Sequence, residues 1–131
     1  MPAVLDAAKI DQIQRESITT SFSKIAQFLQ ENLGQKMAAY IGGLNDPKEV
    51  GAWIRESAAP REMSKMRMRC AYQVVRVISE AYDVETAKAW LFGTNTRLKD
   101  EAPASLMRNA QAVDELQPLV PVARAFVGFA E

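Results

Sequence analysis

The chain has 131 residues, a hydrophobic content of 48%, and 16 basic residues balanced by 16 acidic ones, so its formal charge is zero. It contains no histidine and a single cysteine, which excludes Ser-His and Cys-His nucleophile pairs, histidine-ligated metal centres, internal disulfides and CxxC redox pairs. We therefore expect one compact domain, or two small subdomains sharing a core, that is not an enzyme and uses neither a cofactor nor a metal.

The chain shows no targeting or membrane signal. Its N-terminus lacks the long apolar run of a signal peptide, and the apolar stretch over residues 119–130 is interrupted by Pro121 and Arg124. A cytoplasmic location is the resulting expectation. Cys70 is expected to be a small buried hydrophobe rather than a reactive thiol.

The first two apolar patterns both have helical spacing. Ile10 and Ile13 predict a short helix over residues 4–15, and the stripe after them predicts a longer helix that ends at Gly34. The stripe consists of Ile18, Phe22, Ile25, Leu29 and Leu33. Its first four members, with the two isoleucines of the first helix, indicate either a dimerisation face or packing on a later helix of the same chain.

Residues 35–56 have about the proportions of a helix-turn-helix motif. Residues 35–41 predict the first helix, with Ala39 as the small residue at the helix crossing. Gly42-Gly43 ends this helix, because glycine takes positive φ at little cost.

Asp46-Pro47 is a typical start for the second helix of this motif, since it combines a carboxylate N-cap with proline at the first helical position. Val50 and Trp53 provide the apolar anchor that must point back to the first helix. The pattern is equally compatible with an ordinary helical hairpin that has no role in DNA binding.

In a DNA-reading motif, outward residues near the start of the second helix meet base edges. These residues are Asn45, Lys48, Glu49, Ala52 and Arg55. The lysine and the arginine can reach guanine edges or phosphates, whereas the glutamate weakens binding to phosphate.

Residues 57–82 add five basic residues against two acidic ones, a local charge of +3. Arg61, Lys65 and Arg69 recur every four residues and indicate either a phosphate-binding stripe or a solvated helix face. The same segment predicts the longest helix, over residues 61–82, from one broad apolar stripe. That stripe consists of Met63, Met66, Cys70, Val74, Val77 and Ala81, broadened by Ala71, Val75, Ile78 and Tyr82.

The last third of the chain predicts short helices. Asp83 is placed to cap a helix over residues 84–92 that Gly93 closes, and Pro103 is placed to begin another. Pro118 and Pro121 predict that any later helix is broken or begins late.

The motif Trp90-Leu91-Phe92-Gly93-Thr94-Asn95, followed by Leu98 and by Pro103 to Leu106, resembles the toxin-binding domain of Xre/MbcA/ParS-type antitoxins. The resemblance covers roughly residues 33–129. Members of that family often carry an Xre-like helix-turn-helix just upstream, and residues 35–82 match that placement.

The resemblance implies an all-α fold in three parts. These are an N-terminal helical bundle with the helix-turn-helix (residues 1–60), a connecting helix (61–82) and a small toxin-binding subdomain (83–131). It further implies an antitoxin of a type II toxin-antitoxin system that occludes the active site of a RES-domain, NAD-consuming toxin. Operator DNA and a homodimer or higher oligomer are the other implied partners, with repression of the protein's own operon.

Carried onto this sequence, the resemblance assigns residues to both interfaces. The toxin-binding residues would be Trp90, Leu91, Phe92, Asn95, Leu98, Arg124, Phe126, Val127, Phe129 and Glu131. The DNA-binding residues would be Asn45, Lys48, Ala52, Arg55, Arg61 and Lys65. We expect at least two of the first three toxin-binding residues to lie in the core instead. The alternative function is a stand-alone helix-turn-helix regulator without a toxin partner.

Overall fold

The computed structural model describes residues 5–128, which form eight α-helices and no β-strand. The helices are α1 (Ala7–Thr19), α2 (Phe22–Leu33), α3 (Gln35–Gly42), α4 (Glu49–Ile54), α5 (Glu62–Ala81), α6 (Val84–Phe92), α7 (Pro103–Asn109) and α8 (Leu119–Phe126). The predicted all-α class is confirmed. None of these helices combines the length and the apolar character that crossing a membrane requires.

Helix α5 is the centre of the fold, because α1, α2, α3, α6, α7 and α8 all pack against it. The predicted stripe is correct for most of its members but wrong for Met66 and Tyr82, which are 37% and 42% exposed. Met68 and Tyr72, which the stripe leaves out, are buried. A periodic pattern marks one face of a helix, whereas a helix that neighbours surround is buried on several faces.

A capping serine divides the predicted long stripe of the N-terminal half. The Ser21 side chain accepts a hydrogen bond from the Lys24 amide and begins α2, and α1 extends to Thr19. Ile18 therefore lies on α1, where it is 69% exposed, and its predicted place in the buried stripe of α2 is wrong.

Four of the residues predicted as a dimerisation face pack inside the chain. Ile10, Ile13, Ile25 and Leu29 are buried, and both of their helices pack on α5. The alternative of intramolecular packing is thus confirmed for these four residues, and they form no free dimerisation face.

The hydrophobic core is continuous from Ile10 to Val127. It contains residues from each of the three predicted parts of the chain, so the regions 1–60, 61–82 and 83–131 share one core. Their predicted functional roles therefore depend on surfaces of a common body.

Candidate functional site

The C-terminal ends of α5, α6 and α8 meet at a cluster of aromatic side chains, of which Tyr82 and Phe126 are exposed. The Phe126 ring centroid lies 5.6 Å from that of Tyr82 and 6.4 Å from that of Trp90. Phe126 is 44% exposed, whereas Trp90 shows only 9% of its surface. Beside these rings lies a cavity of about 270 Å³, which we call the aromatic groove. It is lined by Trp90, Asn95, Thr96, Arg97, Val122, Ala125 and Phe126.

A tightly hydrogen-bonded loop forms one wall of the aromatic groove. The Asn95 side chain accepts from the Arg97 amide at 3.0 Å, and the Asn95 carbonyl accepts from the amides of Leu98 and Asp100, both at 2.9 Å. Lys99 and Asp100 have φ of 57° and 64°, a conformation that is costly for residues other than glycine. The hydrogen bonds of Asn95 offset this cost, so Asn95 organises the loop that presents Arg97.

The aromatic groove unites three of the predicted toxin-binding residues, namely Trp90, Asn95 and Phe126. Two residues in or beside the groove were not predicted from the sequence. Tyr82, which flanks the groove through Phe126, was assigned to a buried stripe, and Arg97 lies in a polar turn without a recognisable pattern.

Other predicted toxin-binding residues lie elsewhere. Leu91 is fully buried, and Leu98 and Val127 are 8% exposed, so these three are core residues rather than surface contacts. The expectation that two of the residues 90–92 are core is confirmed by Trp90 and Leu91.

Four further members of the predicted set remain. The half-buried Phe92 ring packs toward Tyr40 of α3, with 6.1 Å between their centroids. Arg124 lines a different cavity, between α1, α5 and α8. Phe129 and Glu131 lie outside the described residues.

The predicted helix-turn-helix region consists of α3, a glycine turn and α4. Gly43 adopts the left-handed conformation with φ of 86°, as predicted. A Cβ on Gly42 would lie 3.0 Å from the Trp53 ring, so Gly42 also makes a close approach to α4, and Ala39, predicted at the helix crossing, is buried.

The second helix of this region, α4, begins at Glu49 and has six residues. The Asp46 carboxylate accepts from the Lys48 amide at 3.0 Å and closes a turn before the helix. The predicted helix start at Asp46-Pro47 is therefore two residues too early. The short helix presents fewer outward side chains than a full recognition helix would.

The predicted DNA-binding residues occupy unequal positions. Asn45, Lys48, Arg55 and Arg61 are exposed, whereas Ala52 is half-buried. Lys65, also half-buried, forms an ion pair with Glu62 at 3.1 Å.

Two of these residues share a mixed-charge cleft. Asn45 and Arg61 line a cavity of about 470 Å³ together with the carboxylate residues Asp46 and Glu49. The carboxylates would repel a phosphate backbone, so the local surface is less favourable to nucleic acid than the basic residues alone suggest.

Arginines of α5 are engaged inside the chain. Arg69 donates to the carbonyls of Ser17 at 2.7 Å and Thr20 at 2.9 Å, which satisfies the C-terminal end of α1. Because Arg69 is engaged there, the predicted phosphate-binding stripe of Arg61, Lys65 and Arg69 is wrong in its third member. Arg76 pairs with Glu16 at 2.5 Å.

Two more arginines connect the C-terminal part of the chain to α5 and α3. Arg67 donates to the Ala110 carbonyl at 2.6 Å, and burial lowers the pKa of its guanidinium. Arg108 donates to the Tyr40 carbonyl at 2.8 Å and stacks 4.8 Å from the centroid of the Tyr40 ring. These cations stabilise the fold.

Cys70 is buried on α5, as predicted. Burial raises the pKa of its thiol to about 12, because the charged thiolate is poorly solvated there. Cys70 is therefore a packing residue.

Comparison with protein-family models, with curated proteins and with solved structures yields no match to this chain. The functional assignment consequently depends on the resemblance of the sequence motifs to antitoxins and on the geometry of the aromatic groove and the α3–α4 region.

Proposed function

We propose that this chain is an antitoxin that neutralises a RES-domain, NAD-consuming toxin by binding it through the aromatic groove. One observation carries the proposal: the fold brings Phe126 of α8 to one surface with Trp90, Asn95 and Arg97, from which it is distant in sequence. Tryptophan, tyrosine and arginine are the residues that most often dominate binding energy at protein interfaces.

The geometry of the aromatic groove is suited to neutralisation by occlusion. Phe126 is exposed but is held by ring contacts with Trp90 and Tyr82, so little conformational entropy is lost on binding. The hydrogen bonds of Asn95 likewise hold the Arg97 loop in one conformation. Blocking the cleft of a toxin requires such a rigid binding surface and no catalytic group.

Co-expression with the product of the adjacent open reading frame tests this proposal. We expect that product to arrest growth and deplete NAD when expressed alone, and to be harmless together with this protein. An adjacent product that is harmless alone, or that kills despite this protein, would contradict the proposal.

The binding surface is tested by the substitution Phe126→Ser. We expect the affinity for the toxin, measured by calorimetry, to fall by about tenfold or more, since Phe126 is an aromatic anchor at the groove. Ile18→Ser is the matched control, because Ile18 is 69% exposed on α1 and lies outside the aromatic groove. Equal affinities of the two variants would exclude the groove as the toxin-binding surface.

DNA binding by the α3–α4 region is the second candidate function, either as autorepression or as the role of a stand-alone regulator. The exposed cations Lys48, Arg55 and Arg61 support it. In a gel shift on the protein's own promoter, Arg55→Ala should weaken DNA binding by about 1–3 kcal/mol if Arg55 contacts a base edge. Arg61→Ala should weaken binding to all DNA sequences by a similar amount if Arg61 contacts a phosphate. The absence of a shift at low salt, with and without toxin, would exclude this function.

A further inference from the structure

The mixed-charge cleft lies between the glycine turn after α3, the start of α4 and the start of α5, and its volume is about 470 Å³. Small-molecule sites in proteins commonly have volumes of about 300–1,000 Å³. Charged residues of both signs line the cleft: Asp46 and Glu49 carry carboxylates, whereas Arg61 and Arg67 carry guanidiniums. Two negative and two positive charges balance, so the cleft as a whole favours neither an anion nor a cation.

The opposite charges of this cleft are not paired with one another. Glu49 and Arg61 are exposed, and within residues 5–128 neither side chain forms a hydrogen bond or an ion pair. Asp46 and Arg67 have hydrogen-bond partners in the backbone, but these amide and carbonyl groups are uncharged and leave both charges in place. An unpaired carboxylate and an unpaired guanidinium that line one cavity can each bind a ligand group of opposite charge.

The backbone around the cleft is held by side chains of α5 and α7. The Ser64 hydroxyl donates to the Gly42 carbonyl at 2.8 Å, and Arg67 donates to the same carbonyl at 3.4 Å. Arg108 donates to the Leu44 carbonyl at 3.2 Å. The glycine turn is thus fixed against both helices, so the cleft is formed before a ligand binds and little free energy is lost in ordering it.

We propose that the mixed-charge cleft binds a small zwitterion, namely a short peptide with free termini and apolar side chains. Glu49 and Asp46 bind the terminal ammonium group, and Arg61 binds the terminal carboxylate, for which a guanidinium offers two parallel donors. The apolar part of the wall contacts the ligand side chains, and it consists of Leu44, Trp53, Ala58, Ala59 and Pro60.

Charge complementarity favours a zwitterion over other occupants. The two carboxylates repel a phosphate backbone, and the two guanidiniums repel a basic segment, whereas a zwitterion presents one charge to each pair. The mixed-charge cleft shares no lining residue with the aromatic groove. The proposal is therefore independent of toxin binding through that groove.

Calorimetry of the full chain with the dipeptide leucyl-leucine at neutral pH tests the proposal. We expect saturable binding. Its N-acetyl form lacks the ammonium group and its C-terminal amide lacks the carboxylate, so each should bind about tenfold or more weakly, because each loses one charged contact. The absence of saturable binding at millimolar dipeptide, or equal binding of all three forms, would overturn the proposal.

Two substitutions assign the charges to residues. Glu49→Gln should weaken binding of the dipeptide but not of its N-acetyl form, and Arg61→Gln should weaken binding of the dipeptide but not of its amide. Asp100→Asn and Arg97→Gln are the matched controls, because both residues are exposed and lie outside the cleft. Circular dichroism melts check that each variant folds. Dipeptide affinities that Glu49→Gln and Arg61→Gln change no more than the controls do would overturn the proposal.

The substitution Glu49→Gln also separates this site from a DNA contact, since Arg61 belongs to the second candidate function as well. Removing a carboxylate should strengthen binding to DNA in a gel shift, because it removes a repulsion of phosphate, and should weaken binding of the dipeptide. If Glu49→Gln strengthens binding to DNA and leaves the dipeptide affinity unchanged, the cleft is a nucleic-acid contact and the proposal is wrong.

Discussion

The two ends of α5 contribute in opposite ways to the surface. Near its N-terminal end, Arg67 and Arg69 donate to carbonyls of neighbouring segments, and Arg108 does the same from α7. Near its C-terminal end, Tyr82 and Phe126 remain 42% and 44% exposed. Three arginines are thus engaged by backbone carbonyls at one end, while aromatic rings are left exposed at the other.

This contrast shows that residue type alone is a poor guide to a binding surface. A guanidinium has five donors and readily satisfies the carbonyls at helix ends, so a basic segment can be largely structural. An aromatic ring at a helix end can be held by other rings and still face solvent, as Phe126 is held by Tyr82 and Trp90.

The largest expected effect on stability distinguishes a buried residue from an exposed one at the C-terminal end of α5. Leu91→Ala should lower the free energy of unfolding in urea by about 2–5 kcal/mol, because Leu91 is fully buried and its truncation leaves a cavity. Phe126→Ala should cost less than about 1 kcal/mol, since Phe126 is 44% exposed. Similar losses for both variants would contradict the distinction between a buried and an exposed residue.

An intermediate effect tests whether the cations at the other end are structural. Arg67→Ala removes the donor that lies 2.6 Å from the Ala110 carbonyl and should lower the free energy of unfolding by about 1–3 kcal/mol. Arg55→Ala, at an exposed position after α4, should change it by less than about 0.5 kcal/mol. If both substitutions lower the free energy of unfolding equally, Arg67 does not stabilise the packing of α5 on the segment after α7.

The smallest expected effect concerns pH. Hydrogen bonds from Gln12 and from Arg76 lower the pKa of the Glu16 carboxyl. A lowered pKa stabilises the fold above the ordinary glutamate pKa, and this contribution disappears as the pH falls through the pKa of the folded state. Because the Glu16 side chain is 35% exposed, solvent screening limits the contribution to below about 1 kcal/mol.

Glu16→Gln should therefore reduce stability at neutral pH and change it little in acid, as measured by urea unfolding at both. Glu31→Gln is the matched control, because Glu31 accepts from Gln27 at 3.0 Å in the same i,i+4 arrangement but has no arginine partner. If Glu31→Gln changes the pH dependence of stability as much as Glu16→Gln does, the ion pair with Arg76 is not the cause of the effect at Glu16.

The sequence by itself determined the helical class and several helix ends, because these depend on neighbouring residues. Asp83 caps α6 by accepting from the Thr86 amide at 2.7 Å, Gly43 ends α3 at a positive φ, and Pro103 begins α7. Each of these signals depends on residues within about one helical turn, so it can be recognised in the sequence alone.

Only the tertiary structure decided which residues form surfaces. Whether Ile18 is buried depends on how α1 packs, and whether Arg69 is available depends on a carbonyl 52 positions away in the sequence. The aromatic groove likewise brings residues 90–97 next to α8, and no periodic pattern in the sequence predicts this contact. Periodicity describes one helix at a time, whereas burial and long-range hydrogen bonding are set by the packing of several helices.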